Sequence, residues 1–377
     1  MHDFRLVLNR NHGTPGTVTL PEGGYRRARA EITSWPGYAP TPLPALAMPG
    51  LASVHYKDEG GRFGLGSFKA LGGAYAVARV LAAELARRGV ANNADGAALE
   101  SGQFTEATRE ITVTCATDGN HGRSVAWGAE RFGARCVIFV HEHVSQNRRD
   151  AIARYGAEIR EVAGNYDDSV RAAQETAEAQ GWFVISDTSY PGYTEPPRDV
   201  MQGYRLMAAE ALAALPLPPT HVFVPGGVGG VAAAVAVQLR SMCGTGPRLI
   251  IAEPDQAPCL TESFAAGRLT TVTGALDTIM AGLACGEPSL LAWQELERSA
   301  FACMAVPDAA VPAAMRYLAA QGIEAGESAV AGLIALECAL ADASARDALG
   351  LGPDSRALIF GTEGATDPEL YRRLIGT

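Results

Sequence analysis

Several features that would assign the chain to a common class of protein are missing from its sequence. The chain has 377 residues, with 31 Lys and Arg against 41 Asp and Glu. This negative balance argues against nucleic acid or an anionic membrane surface as a partner, because both require clustered positive charge. No apolar run reaches the roughly 18 residues of a membrane helix. The N-terminus has no apolar stretch of signal-peptide length after a basic region.

The metal and nucleotide motifs that a chain of this size often carries are also absent. None of the seven cysteines forms a C-x-x-C pair, which excludes a zinc ribbon and a thioredoxin-type motif and favours a reduced, cytoplasmic compartment. His141 and His143 have no third ligand at useful spacing, so no metal site is predicted. A P-loop and a clean G-x-G-x-x-G are missing as well.

The order of apolar segments predicts an α/β protein of about two to three domains, at roughly 150 residues per domain. Residues 1–50 are rich in proline and predict an extended arm or a lid, and the polar stretch 91–106 predicts a surface loop. Beyond the arm, segments rich in Val and Ile alternate with helical segments, which is typical of βαβ units and parallel sheets. The predicted strands are 111–116, 135–140, 158–162, 182–186, 221–227, 248–254 and 357–361, and the predicted helices are 69–88, 120–133, 145–156, 166–180, 198–215, 231–244, 288–299, 309–321 and 326–348.

Lys69 lies at the centre of the segment GLGSFKALGG, among apolar residues and after two of its glycines. A lysine in this setting either extends to solvent from a helix start or lies in a pocket. In a pocket, desolvation lowers its pKa and lets it form a Schiff base with a carbonyl group.

The segment TCATDGNHGRSVAW, residues 114–127, leads from a strand through a turn into a helix. Asn120 offers a donor and an acceptor at this junction. Asp118 and Asn120 can equally be ordinary helix caps. His121 is interpreted first as a packed histidine that supports its neighbours.

A third segment, VFVPGGVGGVAAAV, joins a strand to a helix through four glycines around Val228. Backbone N–H groups at such a turn, with the helix dipole, suit a phosphate, although close packing of helix on strand explains the glycines equally well. A lysine, an asparagine turn and a later glycine loop are together the parts that hold pyridoxal 5'-phosphate.

These three motifs, in this order, resemble those of the fold-type II pyridoxal-phosphate enzymes, the group of tryptophan synthase β and threonine dehydratase. Within the group the chain is most similar to the diaminopropionate ammonia-lyases, through the segments FGLGSFKALGGAYA, ATDGNHGRSVAWGA, DTIMAGLACGEPS and GTEGATDPELY. The aspartate of DGNHG is the most telling residue, because many dehydratases and racemases of the group have serine there.

The resemblance implies a role for each matching residue. Lys69 would be the Schiff-base lysine and a base on one face of the cofactor, and Asp118 a base on the other face. Asp187 would meet the second amino group of the substrate, unless it only caps a loop. Asn120 would bond the cofactor's 3'-oxygen and Thr362 would face the pyridine nitrogen. The phosphate would be held by Gly226, Gly227, Val228, Gly229 and Gly230.

The resemblance also implies the architecture: two open twisted-sheet α/β domains with the cofactor in the cleft between them. The expected large domain is 1–70 with 190–377, and the expected small inserted domain is 71–189. A homodimer is expected on the same basis.

The implied activity is an α,β-elimination that converts 2,3-diaminopropionate, D, L or both, to pyruvate and two ammonia. Bases on both faces would let one enzyme accept both isomers. Because the loop PGGVGG resembles the wider dehydratase group, the alternative is a serine or threonine dehydratase or a related hydroxy-amino-acid ammonia-lyase. A more distant alternative is a catalytically inactive binding protein on the same scaffold.

Overall fold

The computed structural model describes residues 3–117, 119–164 and 166–376, without the side chain of Asp167. In that part of the chain the strands are β1 Arg5–Leu8, β2 Ser53–Asp58, β3 Thr112–Ala116, β4 Arg135–His141, β5 Glu158–Val162, β6 Phe183–Val184, β7 His221–Pro225, β8 Arg248–Pro254, β9 Ala302–Val306 and β10 Arg356–Gly361. The helices are α1 Glu22–Ile32, α2 Lys69–Arg87, α3 Gly96–Glu100, α4 Thr105–Thr108, α5 Asn120–Phe132, α6 Gln146–Ala153, α7 Tyr166–Gln180, α8 Glu195–Ala214, α9 Gly230–Cys243, α10 Cys259–Ala266, α11 Leu290–Ser299, α12 Val311–Ala319, α13 Ala331–Ala341, α14 Ala343–Leu349 and α15 Pro368–Ile375.

Residue contacts divide the chain into two units, each built from segments that are separate in sequence. The first unit comprises Met1–Leu20, Pro40–Phe68 and Met207–Thr377, and the second comprises Pro21–Ala39 and Lys69–Leu206. The segments 21–39 and 190–206, expected in the large domain, therefore group with the second unit. Contacts at the start of α1 give the reason: Gln202 donates to the carbonyl of Pro21 at 2.9 Å, and the Arg205 guanidinium lies 4.4 Å from the ring centre of Tyr25.

The first unit contains a six-stranded sheet in the order β1-β9-β8-β7-β10-β2. Only the edge strand β1 is antiparallel to its neighbour, and the other pairs are parallel. The central strands are apolar along almost their whole length and buried, as parallel strands covered on both faces must be. The neighbouring strands β7 and β10 end at one edge of the sheet, so the loops that follow them lie side by side there.

The second unit contains a four-stranded parallel sheet in the order β5-β4-β3-β6. Strand β3 pairs with both β4 and β6, although β6 has only two residues. The loops after β3 and β6 therefore also meet at one sheet edge. In open α/β sheets this carboxyl edge is where ligands bind.

Small residues allow α2 and α5 to pack closely on one another. A Cβ added at Gly128 would lie 2.7 Å from the Cα of Ala74, and one at Gly73 would lie 2.5 Å from Ser124 Oγ. The Ser124 hydroxyl donates to the carbonyl of Lys69 at 2.7 Å and accepts from the N–H of Ala74 at 3.1 Å. This packing fixes the first residue of α2 relative to α5.

The predicted α/β class and its parallel sheets are confirmed, and most predicted elements lie within a few residues of the observed ones. The predicted helix 326–348 is wrong as one element. It begins only at residue 331 and divides into α13 and α14, because the carboxylate of Asp342 accepts from the N–H of Ala345 at 2.8 Å and caps a new helix. The arm predicted for residues 1–50 contains β1 and α1, and the predicted loop 91–106 contains α3 and the first two residues of α4.

Among the described residues, no helix is both long enough and apolar enough to span a membrane.

Candidate active site

Lys69 is the first residue of α2, and its side chain is 20% exposed. Its ammonium group forms an ion pair with Asp187 Oδ2, in the loop after β6. The structure thus brings together two residues that the sequence places 118 positions apart. A lysine held by a mostly buried carboxylate lies in a pocket rather than on a solvated surface.

The environment of Asp187 keeps its carboxyl group ionised. Burial acts to raise its pKa, but the ammonium of Lys69 outweighs burial and holds the pKa well below its usual range. The loop itself is held by Tyr193, whose hydroxyl donates to the carbonyl of Val184 at 2.8 Å and accepts from the N–H of Ser186 at 3.0 Å. Asp187 is therefore a fixed negative charge that faces an ammonium group.

Tyr204, in α8, is a site neighbour that sequence reasoning missed. The centre of its ring lies 5.9 Å from Lys69 Nζ, and the side chain is buried. Gly72 makes room for it, because a Cβ at that position would lie 2.4 Å from the Tyr204 ring. The signal in the sequence was the pair of glycines after Lys69, which was interpreted only as part of a helix.

The loop after β3 is organised by Thr117, which sequence reasoning also missed. Its hydroxyl oxygen accepts from the N–H groups of Gly119 at 3.0 Å and Gly122 at 3.1 Å. A Cβ at Gly122 would lie 2.3 Å from the Thr117 methyl group, so only glycine fits there. Asn120 begins α5, and its side-chain oxygen accepts from Arg123. Asp118, the predicted second base, lies outside the described residues.

His121 joins the loops that follow β3 and β6. It is 8% exposed, and its Nε2 lies 2.8 Å from the carbonyl oxygen of Ile185. Because β3 and β6 are neighbours, this bond sets the distance between the start of α5 and the segment that contains Asp187.

In the first unit, the glycine loop follows β7 and leads directly into α9. The N–H of Gly226 donates to the carbonyl of Ala252 at 2.8 Å, and a Cβ at Gly226 would lie 2.7 Å from the Cγ of Glu253. Gly227 and Gly229 have φ of 57° and 93°, which L-residues rarely adopt. The carbonyl of Val228 accepts from the N–H of Ser289 at 2.9 Å. The first N–H groups of α9 have no partner within the helix, which suits a phosphate.

Thr362 lies directly after β10, at the same sheet edge as the glycine loop, and is buried. Its carbonyl accepts from the N–H of Phe68 at 3.1 Å, and the N–H of Gly364 donates to the carbonyl of Gly66 at 2.9 Å. The residues 66–68 immediately precede Lys69. The segment after β10 therefore holds the backbone of residues 66–68.

A buried ion-pair network holds residues 57–62, which precede this backbone segment in the chain. The carboxylate of Glu210 pairs with Lys57 at 2.7 Å and with Arg62 at 2.6 Å, and Arg62 also pairs with Glu59 at 2.8 Å. Burial acts to raise the pKa of Glu210, but its bonds to Arg62 and Lys57 lower it overall. Such a network resists change, because loss of one partner leaves a buried charge uncompensated.

The chemistry of the residues in the structure fits pyridoxal phosphate. A lysine with a carboxylate counter-charge can bind an aldehyde and exchange a proton. A glycine loop at a helix N-terminus, in which a side chain at Gly226 would collide with Glu253, leaves backbone N–H groups for a phosphate. Among the described residues, no cluster of His, Cys, Asp and Glu suits a metal ion.

Comparison with known proteins points to the same cofactor. A family model described as "Pyridoxal-phosphate dependent enzyme" matches residues 34–360. The chain is 37% identical over 388 residues to the diaminopropionate ammonia-lyase of Salmonella typhimurium, covering 97% of this chain and 95% of that protein.

Comparison with solved structures shows that the fold matches that of a diaminopropionate ammonia-lyase. The holo crystal structure of diaminopropionate ammonia-lyase from Escherichia coli matches with a TM-score of 0.89 and 34% identity, over 99% of this chain and 97% of that one. The structure of the same protein with an aminoacrylate-PLP azomethine reaction intermediate also matches with a TM-score of 0.89 and 34% identity, over 100% of this chain and 97% of that one.

Proposed function

The chain belongs to the pyridoxal-phosphate dependent enzymes and, within them, to the diaminopropionate ammonia-lyase family, and on this premise we propose that it eliminates ammonia from 2,3-diaminopropionate. D-diaminopropionate, L-diaminopropionate or both are its substrates. One substrate and one water give one pyruvate and two ammonia.

The observation that carries this proposal is the ion pair between Lys69 and Asp187. A buried carboxylate that pairs with the ammonium of Lys69 can also bind the second amino group of a substrate. Diaminopropionate carries that group, whereas serine and threonine carry a hydroxyl at that carbon. Asp187 therefore favours the diamino acid.

The cofactor, pyridoxal 5'-phosphate, supplies the electron sink for the pair left at Cα when its proton is removed. In our proposal Lys69 binds the cofactor covalently, Asn120 bonds its 3'-oxygen and Thr362 faces its ring nitrogen. Its phosphate is held by Gly226, Gly227, Val228, Gly229 and Gly230.

The proton transfers fall to three side chains. Lys69 Nζ takes the Cα proton from one isomer, and we assign the other isomer to Asp118. An amine leaves poorly unless it is protonated, so a general acid must deliver a proton to it. We assign this step to Asp187, which pairs with Lys69 and can pass on the proton that Lys69 has taken. The released enamine then hydrolyses to pyruvate and the second ammonia.

We further propose that the enzyme acts as a homodimer in the cytoplasm. The homodimer is supported by the family resemblance. A reducing compartment is supported by seven cysteines without paired spacing, and the net charge of −10 supports small-molecule rather than nucleic-acid partners.

The test is the stoichiometry of product release by the purified holoenzyme. D- and L-diaminopropionate, serine and threonine are supplied separately, and pyruvate, 2-oxobutyrate and ammonia are measured, with Lys69→Ala as the inactive control. Diaminopropionate should give two ammonia per pyruvate, and Lys69→Ala should give no product. Turnover of hydroxy amino acids alone, with one ammonia per keto acid, would replace the proposal with a serine or threonine dehydratase. No turnover and no absorbance from bound cofactor would indicate an inactive binding protein.

A further inference from the structure

His121 is held in one orientation by a single strong contact. Its Nε2 lies 2.8 Å from the carbonyl oxygen of Ile185, and the side chain is 9% exposed. A carbonyl oxygen only accepts hydrogen bonds, so Nε2 must carry the hydrogen. Burial lowers the pKa of His121 in spite of the nearby carboxylate of Asp187, so the ring is neutral. The remaining nitrogen, Nδ1, therefore carries a lone pair and no hydrogen.

That lone pair faces Asp187. Nδ1 of His121 lies 3.9 Å from Asp187 Oδ2, which is the oxygen that pairs with Lys69. Nδ1 is buried and has no hydrogen-bond partner among the described residues. A bare nitrogen and a carboxylate oxygen are both acceptors, and 3.9 Å is too long for a hydrogen bond. The three groups lie in the order Lys69, Asp187, His121, and a hydrogen bond between the last two needs a proton on one of them and an approach of about 1 Å.

We propose that His121 is a positioning residue for Asp187. Nδ1 of His121 accepts a hydrogen bond from the Asp187 carboxyl group when that group is protonated. This inference rests on the proposed function. After Lys69 has taken the Cα proton, an N–H bond of its ammonium breaks and an O–H bond forms on Asp187. That O–H donates to Nδ1 of His121, which stabilises the neutral acid. The O–H then breaks as the leaving amine gains the proton and keeps the electron pair of its bond to Cβ.

Two substitutions separate this role from simple packing. In His121→Gln, the longer amide can still donate to the carbonyl of Ile185 but presents no acceptor at the place of Nδ1. In His121→Asn, the shorter amide can present an oxygen at the place of Nδ1 but loses the bond to Ile185. If Nδ1 is the acting atom, His121→Gln should lower kcat more than His121→Asn does.

His221 provides a matched control in the first unit. It is buried, and its Nε2 lies 2.9 Å from the carbonyl oxygen of Leu349, as His121 Nε2 lies against Ile185. Its Nδ1 already has a partner, Thr220 Oγ1 at 2.8 Å. His221→Gln should lower the melting temperature and leave kcat within about twofold of wild type.

The first readout is the kinetics of pyruvate release from diaminopropionate by each holoenzyme. His121→Gln should lower kcat about 10- to 100-fold, the effect of leaving a buried carboxylic acid without its hydrogen-bond partner, with KM within about threefold of wild type. Cofactor absorbance should be retained, and His121→Asn should recover part of kcat. A His121→Gln kcat within about twofold of wild type would overturn the inference. So would a folded, cofactor-loaded His121→Asn with a loss equal to that of His121→Gln.

The second readout does not depend on turnover or on the folding of His121→Asn. Nitrogen NMR of holoenzyme labelled at histidine, with the spectrum of His121→Gln used for assignment, reports the tautomer directly. The inference requires Nε2 protonated and Nδ1 bare between pH 6 and 8. A proton on Nδ1 would overturn it. Wild-type enzyme that releases no pyruvate from diaminopropionate would instead refute the proposed function and leave the tautomer result standing.

Discussion

The ammonium of Lys69 and the carboxylate of Asp187 form an ion pair between the first residue of α2 and the loop that follows β6. The pair leaves 14% of the Asp187 side chain exposed, so the carboxylate has exchanged most of its water for a cation. In the proposed function, this exchange is what lets Asp187 bind a substrate amine and act on a proton next to Lys69.

Asp187→Asn should therefore damage the reaction of the diamino acid more than that of serine. We expect kcat/KM for diaminopropionate to fall about 100- to 1,000-fold, the size of a general acid–base contribution, and kcat/KM for serine to fall about tenfold less. Steady-state pyruvate release measures both. Asp199→Asn is the control, because it removes another ion pair of the same unit, Arg79 Nε to Asp199 Oδ2 at 3.7 Å, and should leave the ratio unchanged. Equal losses for the two substrates would remove the assigned role of Asp187.

Thr117→Val should loosen the loop that carries Asn120. The substitution leaves the N–H groups of Gly119 and Gly122 without their acceptor, at a cost of about 1–3 kcal/mol in the free energy of unfolding. Cofactor affinity should fall with it. Chemical denaturation and titration of the apoenzyme with pyridoxal phosphate are the measurements.

Thr114→Val is the matched control, because the Thr114 hydroxyl is buried in β3 and has no hydrogen-bond partner among the described residues. Valine has the same shape, so stability should be unchanged or increased. If both valine variants lost stability to the same extent, the two N–H bonds of Thr117 would not be the reason.

Gly226→Ala should weaken cofactor binding and destabilise the first unit. Its Cβ would lie 2.7 Å from the Cγ of Glu253, a side chain that is fully buried and cannot move aside freely. We expect a loss of about 1–3 kcal/mol in the free energy of unfolding, as for other overpacked sites. Gly352→Ala, where no atom lies within 4 Å of the added Cβ, should be neutral. Unchanged cofactor affinity in Gly226→Ala would argue against the phosphate site.

Glu31→Gln should stabilise the protein at high pH but not at low pH. Burial raises the pKa of Glu31 from 4.5 to about 7, and Arg79 offsets only part of this. The unfolded chain releases this proton near pH 4.5 and the folded chain only near pH 7, so stability falls as pH rises through that interval. Removing the carboxyl group should add about 1–3 kcal/mol at pH 8 and nothing at pH 4.

Glu84→Gln is expected to have the opposite effect on stability at high pH. Hydrogen bonds from Arg87 and Arg88 lower the pKa of Glu84 from 4.5 to about 2. The stability that they provide is present above pH 4.5 and is lost as pH falls toward 2. Glu84→Gln should therefore lower the melting temperature at pH 8. Thermal unfolding of both variants at several pH values tests the two signs together.

The alternation of apolar strands and amphipathic helices was enough to predict the parallel sheets and most elements of both units. The predictions of individual elements failed where the local hydrophobic pattern is weak. Strand β6 forms only two residues, because its pairing with β3 ends where the chain turns toward Asp187. Helix α1 was missed inside a proline-rich segment, since its stability comes from contacts such as that of Tyr25 with Arg205.

The site was predictable to the extent that chemistry is carried by residue type. Lys69, Asn120 and the glycine loop were proposed as site residues from their types and order, and Asp187 was proposed from the family resemblance. Thr117 was not, because a threonine that accepts two backbone hydrogen bonds looks like any strand residue in the sequence. Contacts of this kind depend on which loops a sheet brings together.

The most direct test of the account compares kcat/KM for D- and L-diaminopropionate with kcat/KM for D- and L-serine, on one preparation of the holoenzyme. The account predicts that at least one diaminopropionate isomer is preferred over serine by more than about tenfold, a difference of about 1.4 kcal/mol from the amino group that Asp187 binds in the proposed function. Serine turned over as fast as diaminopropionate, or faster, would contradict it.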